Sequence, residues 1–460
     1  MVKILFFLVN IFYITICSLR NNKEEQTTIP STDIYIDDKK ILILDIQYEE
    51  KENYYVTALG IGTPTTYFPV QIDTAIGKTW VPSLDCDNCL SLFKYNSSNS
   101  NTSKTSLSIE KIFDMNGNIE GRVTYDDIIL ANTHFKNFKF IQVLKFFSNF
   151  SDYEDGKIGL GYCNDSSFDL LSHLRNEGII NKKMFTIKEI NSTNGEIIFG
   201  DIPKEIKLKN FPIFNISKIP NKNEFEEIFQ EAWIIKLGFI IIGTNYTNRS
   251  NEKVFKDAIQ TDSYASFDIS SEYIDAPYTQ LRNFKNYLFD EYLDNICIET
   301  VKNNITTFIC DDYKYKQNPH KDKIDNLGIS FLFEGYSYDI PISDLFNDIN
   351  STSSEFVIRF KHFSQNTWII GYPFMHLFTM VFDKENDLIG IIGNPYNMTD
   401  IYKNYQYYKL LKVLTIIGII CGIILLIIII ILINRCIRKN SNTIEKISLV
   451  ENEMMPSQQQ

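Results

Sequence analysis

The chain has 460 residues, is 44% hydrophobic and 14% aromatic, and carries a formal net charge of -12. This length accommodates one large two-part domain with appendages and a sizeable core. The acidic balance argues against a nucleic-acid partner, and with five histidines and no second Cys/His cluster, neither a metal nor a cofactor is expected.

Along the chain, Met1-Val2-Lys3 precedes an apolar run from Ile4 to Cys17 and the small residue Ser18. One positive charge and a run too short to span a bilayer predict a signal peptide over residues 1–18. Residues 19–53 are polar and charged and are expected to be a pro-segment or flexible lead. From Tyr54 to Gly393 short apolar runs alternate with turn residues, as in Tyr54–Gly62, Arg122–Leu130, Phe138–Leu144, Glu196–Gly200, Trp233–Ile242, Ile329–Phe333 and Thr379–Asp383. Strand-sized runs at this spacing predict an all-β body, with helices over Phe168–Leu174 and Tyr273–Tyr287.

Two halves show faint internal similarity, which predicts duplicated lobes over 54–210 and 211–398. Each has an Asp-(Thr/Ser) step, Asp73-Thr74 and Asp262-Ser263, and a later apolar stretch ending in Gly, Lys157-Ile158-Gly159-Leu160-Gly161 and Trp368-Ile369-Ile370-Gly371. The charged, turn-rich segment Ile202–Glu231 could join the lobes.

Val413–Ile433 is apolar and uncharged. At about 1.5 Å per residue it covers roughly the thickness of one hydrocarbon core, so a single transmembrane helix is expected there. Arg435, Arg438 and Lys439 outnumber Lys409 and Lys412 on the other side. The tail 434–460 is therefore expected in the cytosol, making a type I membrane protein of the secretory pathway or cell surface. Of eight cysteines, five fall in the body. A luminal body suggests bridges Cys86–Cys89 and Cys297–Cys310, with Cys163 left over.

In order, Gly60-Ile61-Gly62-Thr63-Pro64, Asp73-Thr74, Trp80-Val81-Pro82-Ser83, Asp155-Gly156-Lys157-Ile158-Gly159, Gly195–Gly200, Trp368–Met375 and Val381-Phe382-Asp383 resemble the motifs of pepsin-like aspartic proteases. The Asn/Lys/Ile-rich composition resembles that of the plasmepsin type. The resemblance implies a bilobal fold with an interlobe cleft, a peptide or protein substrate, a monomer, and no metal. It assigns Asp73 and Asp262 as the catalytic pair, with Thr74 and Ser263 bracing the opposite turns. Two carboxyls at about 3 Å cannot both ionise, so one serves as base and one as acid; aspartic proteases are the standard example of this effect. The resemblance places the flap at Phe113, Asp114 and Gly117, facing Trp80.

The chain also departs from the family pattern. The triplets read Asp73-Thr74-Ala75 and Asp262-Ser263-Tyr264 in place of Asp-(Thr/Ser)-Gly. The next positions, Ile76 and Ala265, lack the usual hydroxyl, and the flap lacks its Tyr. Before Asp262 the run is polar, Gln260-Thr261, where a buried strand is expected. Two functions are compatible with this pattern: a membrane-tethered aspartic endopeptidase, or a catalytically impaired relative whose cleft binds peptides or protein partners.

Overall fold

The computed structural model describes residues 40–49, 54–114, 117–147, 155–203, 206, 211–217, 229, 231–244, 258–361, 366–393, 395–398, 414–415 and 417–433. The signal peptide expected at 1–18 and the tail at 434–460 lie outside them. The chain divides into two units, Met1–Asn397 and Met398–Gln460.

Alternation of apolar and polar residues sets the first strand, β1 (Leu42–Glu49). Leu42, Leu44 and Ile46 are buried while Ile43 is exposed. This strand lies inside the stretch read from sequence as pro-segment or flexible lead. It pairs with β2 (Tyr54–Ile61), which in turn pairs with β3 (Thr66–Asp73). The short strand β4 (Trp80–Pro82) follows. A long hairpin comes next, β5 (Lys104–Asp114) and β6 (Gly117–Leu130), backed by β7 (Thr133–Phe147). β8 (Lys157–Gly159), β9 (Met184–Asn191) and β10 (Asn194–Phe199) complete the first half.

β11 (Ile213–Asn215) leads to the second half, built on β12 (Trp233–Thr244), β13 (Ala258–Phe267) and β14 (Ile274–Pro277). Among the described residues a 13-stranded and a 12-stranded sheet account for the mostly β, two-lobed architecture. The first sheet also takes in Thr379–Asp383 and Leu388–Ile392, from near the far end of the matched sequence.

The duplication seen in sequence is a repeated piece of topology. In the first half β3 runs parallel to β8, with Gln71 opposite Lys157, Ile72 opposite Ile158 and Asp73 opposite Gly159. In the second, β13 runs parallel to Thr367–Ile370, with Ser266 opposite Ile369 and Phe267 opposite Ile370. Gly371 is held tightly in the second copy. A Cβ there would lie 2.2 Å from the Tyr273 carbonyl oxygen and 2.4 Å from that of Ser271.

The first expected helix is present as Leu170–Asn176, capped by Asp169, which accepts from the Ser172 N–H. The second expectation, Tyr273–Tyr287, is only partly met. Ile274–Pro277 is extended because it pairs in parallel with Ile358–Lys361, and helical turns begin at Tyr278. Both expected disulfides are present, Cys86–Cys89 and Cys297–Cys310, the latter joining directly opposed positions of a hairpin. Cys163 is free and buried.

In the C-terminal unit, residues 414–415 and 417–433 are helical, and Ile417 through Ile433 carry exposed apolar side chains. Among the described residues no helix is long and apolar enough to cross a membrane.

One apolar core runs through both halves. Phe185 of β9 stacks on Phe382 at 4.7 Å, and the Trp233 ring lies 5.1 Å from Phe382. The Trp233 indole N–H donates to the Leu160 carbonyl at 2.7 Å. Emptying this junction leaves a cavity that rigid neighbouring strands cannot refill. Phe382→Ala is therefore expected to lower the unfolding free energy by roughly 3–5 kcal/mol in a denaturant titration.

Candidate active site

β3 delivers Asp73 into a turn. Its carboxylate Oδ1 accepts the Ala75 and Ile76 backbone N–H groups, both at 2.8 Å. The turn is tied to β8 because Leu160 N–H donates to the Asp73 carbonyl at 2.7 Å and Gly161 N–H to that of Ile76 at 2.8 Å. Thr74 reaches across to the other half. Its hydroxyl donates to the Phe267 carbonyl at 2.9 Å and accepts from the Ile269 N–H at 3.0 Å.

These contacts identify the second turn as Asp268-Ile269-Ser270-Ser271, at the end of β13. Asp268 is buried, and its N–H donates to the Ile370 carbonyl at 3.0 Å. The Ser270 hydroxyl connects the halves, lying 2.6 Å from Asp268 Oδ1 and 3.2 Å from Asp73 Oδ2. Gln71 adds a second tie by donating to the Ser270 carbonyl at 3.2 Å. The acidic side chain brought toward Asp73 is therefore that of Asp268.

Asp262 lies within β13, where the register against β12 shifts between Leu237 and Phe239. Ser263 does not brace Thr74's turn; its buried hydroxyl has no hydrogen-bond partner among the described residues. Ile269 occupies the bracing position in the second half, so the brace is carried by Thr74 and not returned by a second hydroxyl. Tyr264 pairs within the strand and does not crowd the turn. The usable sequence signal was the apolar approach Tyr264-Ala265-Ser266-Phe267 ahead of Asp268, in contrast to the polar residues before Asp262.

The motif Asp155-Gly156-Lys157-Ile158-Gly159 supplies a further group to the site. Lys157, in β8, points its ammonium at Asp73 Oδ2 from 3.1 Å, and both side chains are essentially inaccessible, at 1% and 2% exposure. A buried ion pair of this kind persists only with close geometry and additional hydrogen bonds, which Ala75, Ile76 and Ser270 supply here.

The β5–β6 hairpin corresponds to the expected flap. Asp114 is opposite Gly117 at its end, and Gly117 has φ 147°, a backbone angle that favours glycine. Phe113 is exposed, whereas Ile112 shares a buried cluster with Trp80. Trp80 meets Phe146 edge-on at 5.7 Å. No group of acidic, His or Cys residues suited to hold a metal occurs among the described residues.

A model of eukaryotic aspartyl proteases matches residues 54–393. The chain belongs to this family. Relatives of this chain include a horse (Equus caballus) pregnancy-associated glycoprotein, 24% identical over 75% of this chain and 84% of its own length. A chicken (Gallus gallus) embryonic pepsinogen is 23% identical over 74% of this chain and 79% of its own. Bovine (Bos taurus) pepsin A is 24% identical over 73% and 83%.

β14, just after the Asp268 turn, is anchored by charge. Asp275 is buried; Arg359 Nε lies 3.0 Å from its Oδ1 and Lys361 Nζ 2.6 Å from its Oδ2. Burial pushes the Asp275 carboxyl up, but the Arg359 guanidinium and Lys361 ammonium outweigh burial and hold it below the usual range. A carboxyl depressed in the fold adds stability above its unfolded pKa of about 3.9 and loses it as pH falls through the lower folded value. Asp275→Asn should therefore cost roughly 3–5 kcal/mol near neutral pH, because it removes the buried charge that Arg359 and Lys361 face. The gap from the parent protein, followed by thermal melts, should close below about pH 4.

Proposed function

We propose that this aspartyl protease relative takes an extended peptide or protein segment between its halves at Asp73 and Asp268, and holds it without cutting it in the state described. The observation that carries this reading is the occupancy of Asp73. A carboxylate offers about four lone-pair positions, and Ala75, Ile76, Lys157 and Ser270 direct a donor at each of them. Peptide hydrolysis requires one carboxylate to take a proton from an attacking water. Asp73, so engaged, has no position left for that water. Family membership, and relatives named as pepsins, support peptide as the class of ligand.

A second reading, endopeptidase action by Asp73 and Asp268, is favoured by the preserved Thr74 brace and by two acidic turns linked through one hydroxyl. The two readings separate in one experiment. The full-length chain is expected to raise the anisotropy of labelled extended peptides, while mass spectrometry of a denatured protein incubated with it at about pH 3–7 finds no new termini. Cleavage that Asp73→Asn abolishes would establish the endopeptidase instead; absence of both binding and cleavage would remove the peptide from the proposal.

The paired cysteines and the apolar run Val413–Ile433 support a secretory-pathway protein tethered to a membrane by that run. The full-length chain is expected to stay in the pellet on alkaline carbonate extraction. A chain ending before Val413 is expected in the supernatant, and equal partitioning of the two would refute the tether.

A further inference from the structure

We infer that Lys157 and Ser270 together form an internal lock on the acidic pair, with the Ser270 hydroxyl occupying the position between the carboxyls where an attacking water would be held. This inference rests on the peptide-binding reading above and concerns the regulation of that same site.

The hydrogen-bond inventory supports this assignment. The Ser270 hydroxyl has one hydrogen and approaches two carboxyl oxygens, at 2.6 Å on Asp268 and 3.2 Å on Asp73. That hydrogen lies between the two, and Asp268 Oδ1 also accepts the Ser270 N–H at 2.9 Å. Lys157 brings only donors, and the two backbone N–H groups on Oδ1 are donors as well. Asp73 therefore faces donors throughout and acts as the acceptor. The Ser270 hydroxyl therefore stands between Asp268 Oδ1 and Asp73 Oδ2, within hydrogen-bond reach of both. Where a working pair would hold a water between its carboxyls, this pair holds a side chain fixed to the backbone. A fixed hydroxyl in that place excludes the water.

The fold's own duplication indicates which residues would release the lock. Lys157 stands opposite Gln71, and in the second half the same register position, opposite Ser266, is held by Ile369. Ser270 follows Asp268 by two positions, as Ala75 follows Asp73. Each locking residue thus has an apolar counterpart already accommodated in the other half. With both replaced, the site could hold water. In hydrolysis the water oxygen would bond to the peptide carbonyl carbon as one carboxylate takes its proton. The C–N bond would then break as the other carboxyl protonates the nitrogen.

The test uses the full-length chain, a labelled peptide, and the same peptide carrying statine, whose hydroxyl needs the water's position. The parent protein should bind the two peptides within about threefold and cleave neither. Lys157→Ile/Ser270→Ala should prefer the statine peptide by about 100-fold or more, as expected for a transition-state mimic, and should cleave denatured protein at about pH 4. Adding Asp268→Asn to the double variant should abolish cleavage. A folded double variant that binds peptide but neither cleaves nor prefers statine overturns the lock while leaving peptide binding intact; loss of all peptide binding by the parent instead overturns the parent reading. Should the double variant not fold, Ser270→Ala alone decides. Its replacement is a single hydroxyl on a partly buried turn, and an unchanged statine ratio overturns the proposal. A parent protein that already prefers statine 100-fold also overturns it.

Discussion

The hydroxyl of Thr74 is the contact on which the rest of the site depends. It is fully buried, donates to the carbonyl ahead of Asp268 and accepts the N–H behind it, so the second turn is fixed by a side chain of the first. A buried polar group is tolerated only when it is satisfied, and Thr74 is satisfied only with the halves in this register. The separation of the two carboxyls, the bridging by Ser270 and the reach of Gln71 all follow from it. Because Ile269 cannot return the favour, the brace is one-sided, and Gln71 and Ser270 supply ties of a different kind.

The charge arrangement around Asp73 sets a buried cation against one of the two facing carboxyls. In a pair of facing carboxyls the shared proton is the working part, and it exists because like charges repel. An ammonium at 3.1 Å removes that repulsion at its source. Burial strengthens the effect, since neither partner is exposed enough for water to compete. The same device, a buried carboxylate held by cations, recurs at Asp275, where it serves only to anchor a strand. The two occurrences differ in place, because only one belongs to the pair of facing acidic turns.

Much of the architecture was legible in the residues. The strand pattern, both disulfides, the duplicated Asp turns and the position of Asp73 follow from alternation, pairing of cysteines in an oxidising context, and motif order. The second acidic turn was misplaced to Asp262, because an Asp-Ser step resembles the first triplet more than Asp268-Ile269-Ser270 does. The polar approach to Asp262 conflicted with a buried strand, and the apolar residues leading to Asp268 satisfied that requirement. Lys157 was visible within a matched motif, yet its importance depends on which way a strand faces and what lies 84 positions earlier. Sequence spacing carries neither. The strand Leu42–Glu49 was hidden by its charged surroundings, although its own alternation was regular.

The sheet of the first half borrows Thr379–Asp383 and Leu388–Ile392. During synthesis the amino-terminal lobe therefore cannot finish its own sheet until residues 379–392 have emerged. Strand β9 waits with one edge open, and Phe185 waits for its stacking partner. Closing a loop of that size costs little more entropy than closing a shorter one, but it comes late. Until then the lobe is half-built with apolar surface exposed, and completion of the two halves becomes a single, shared event late in translation.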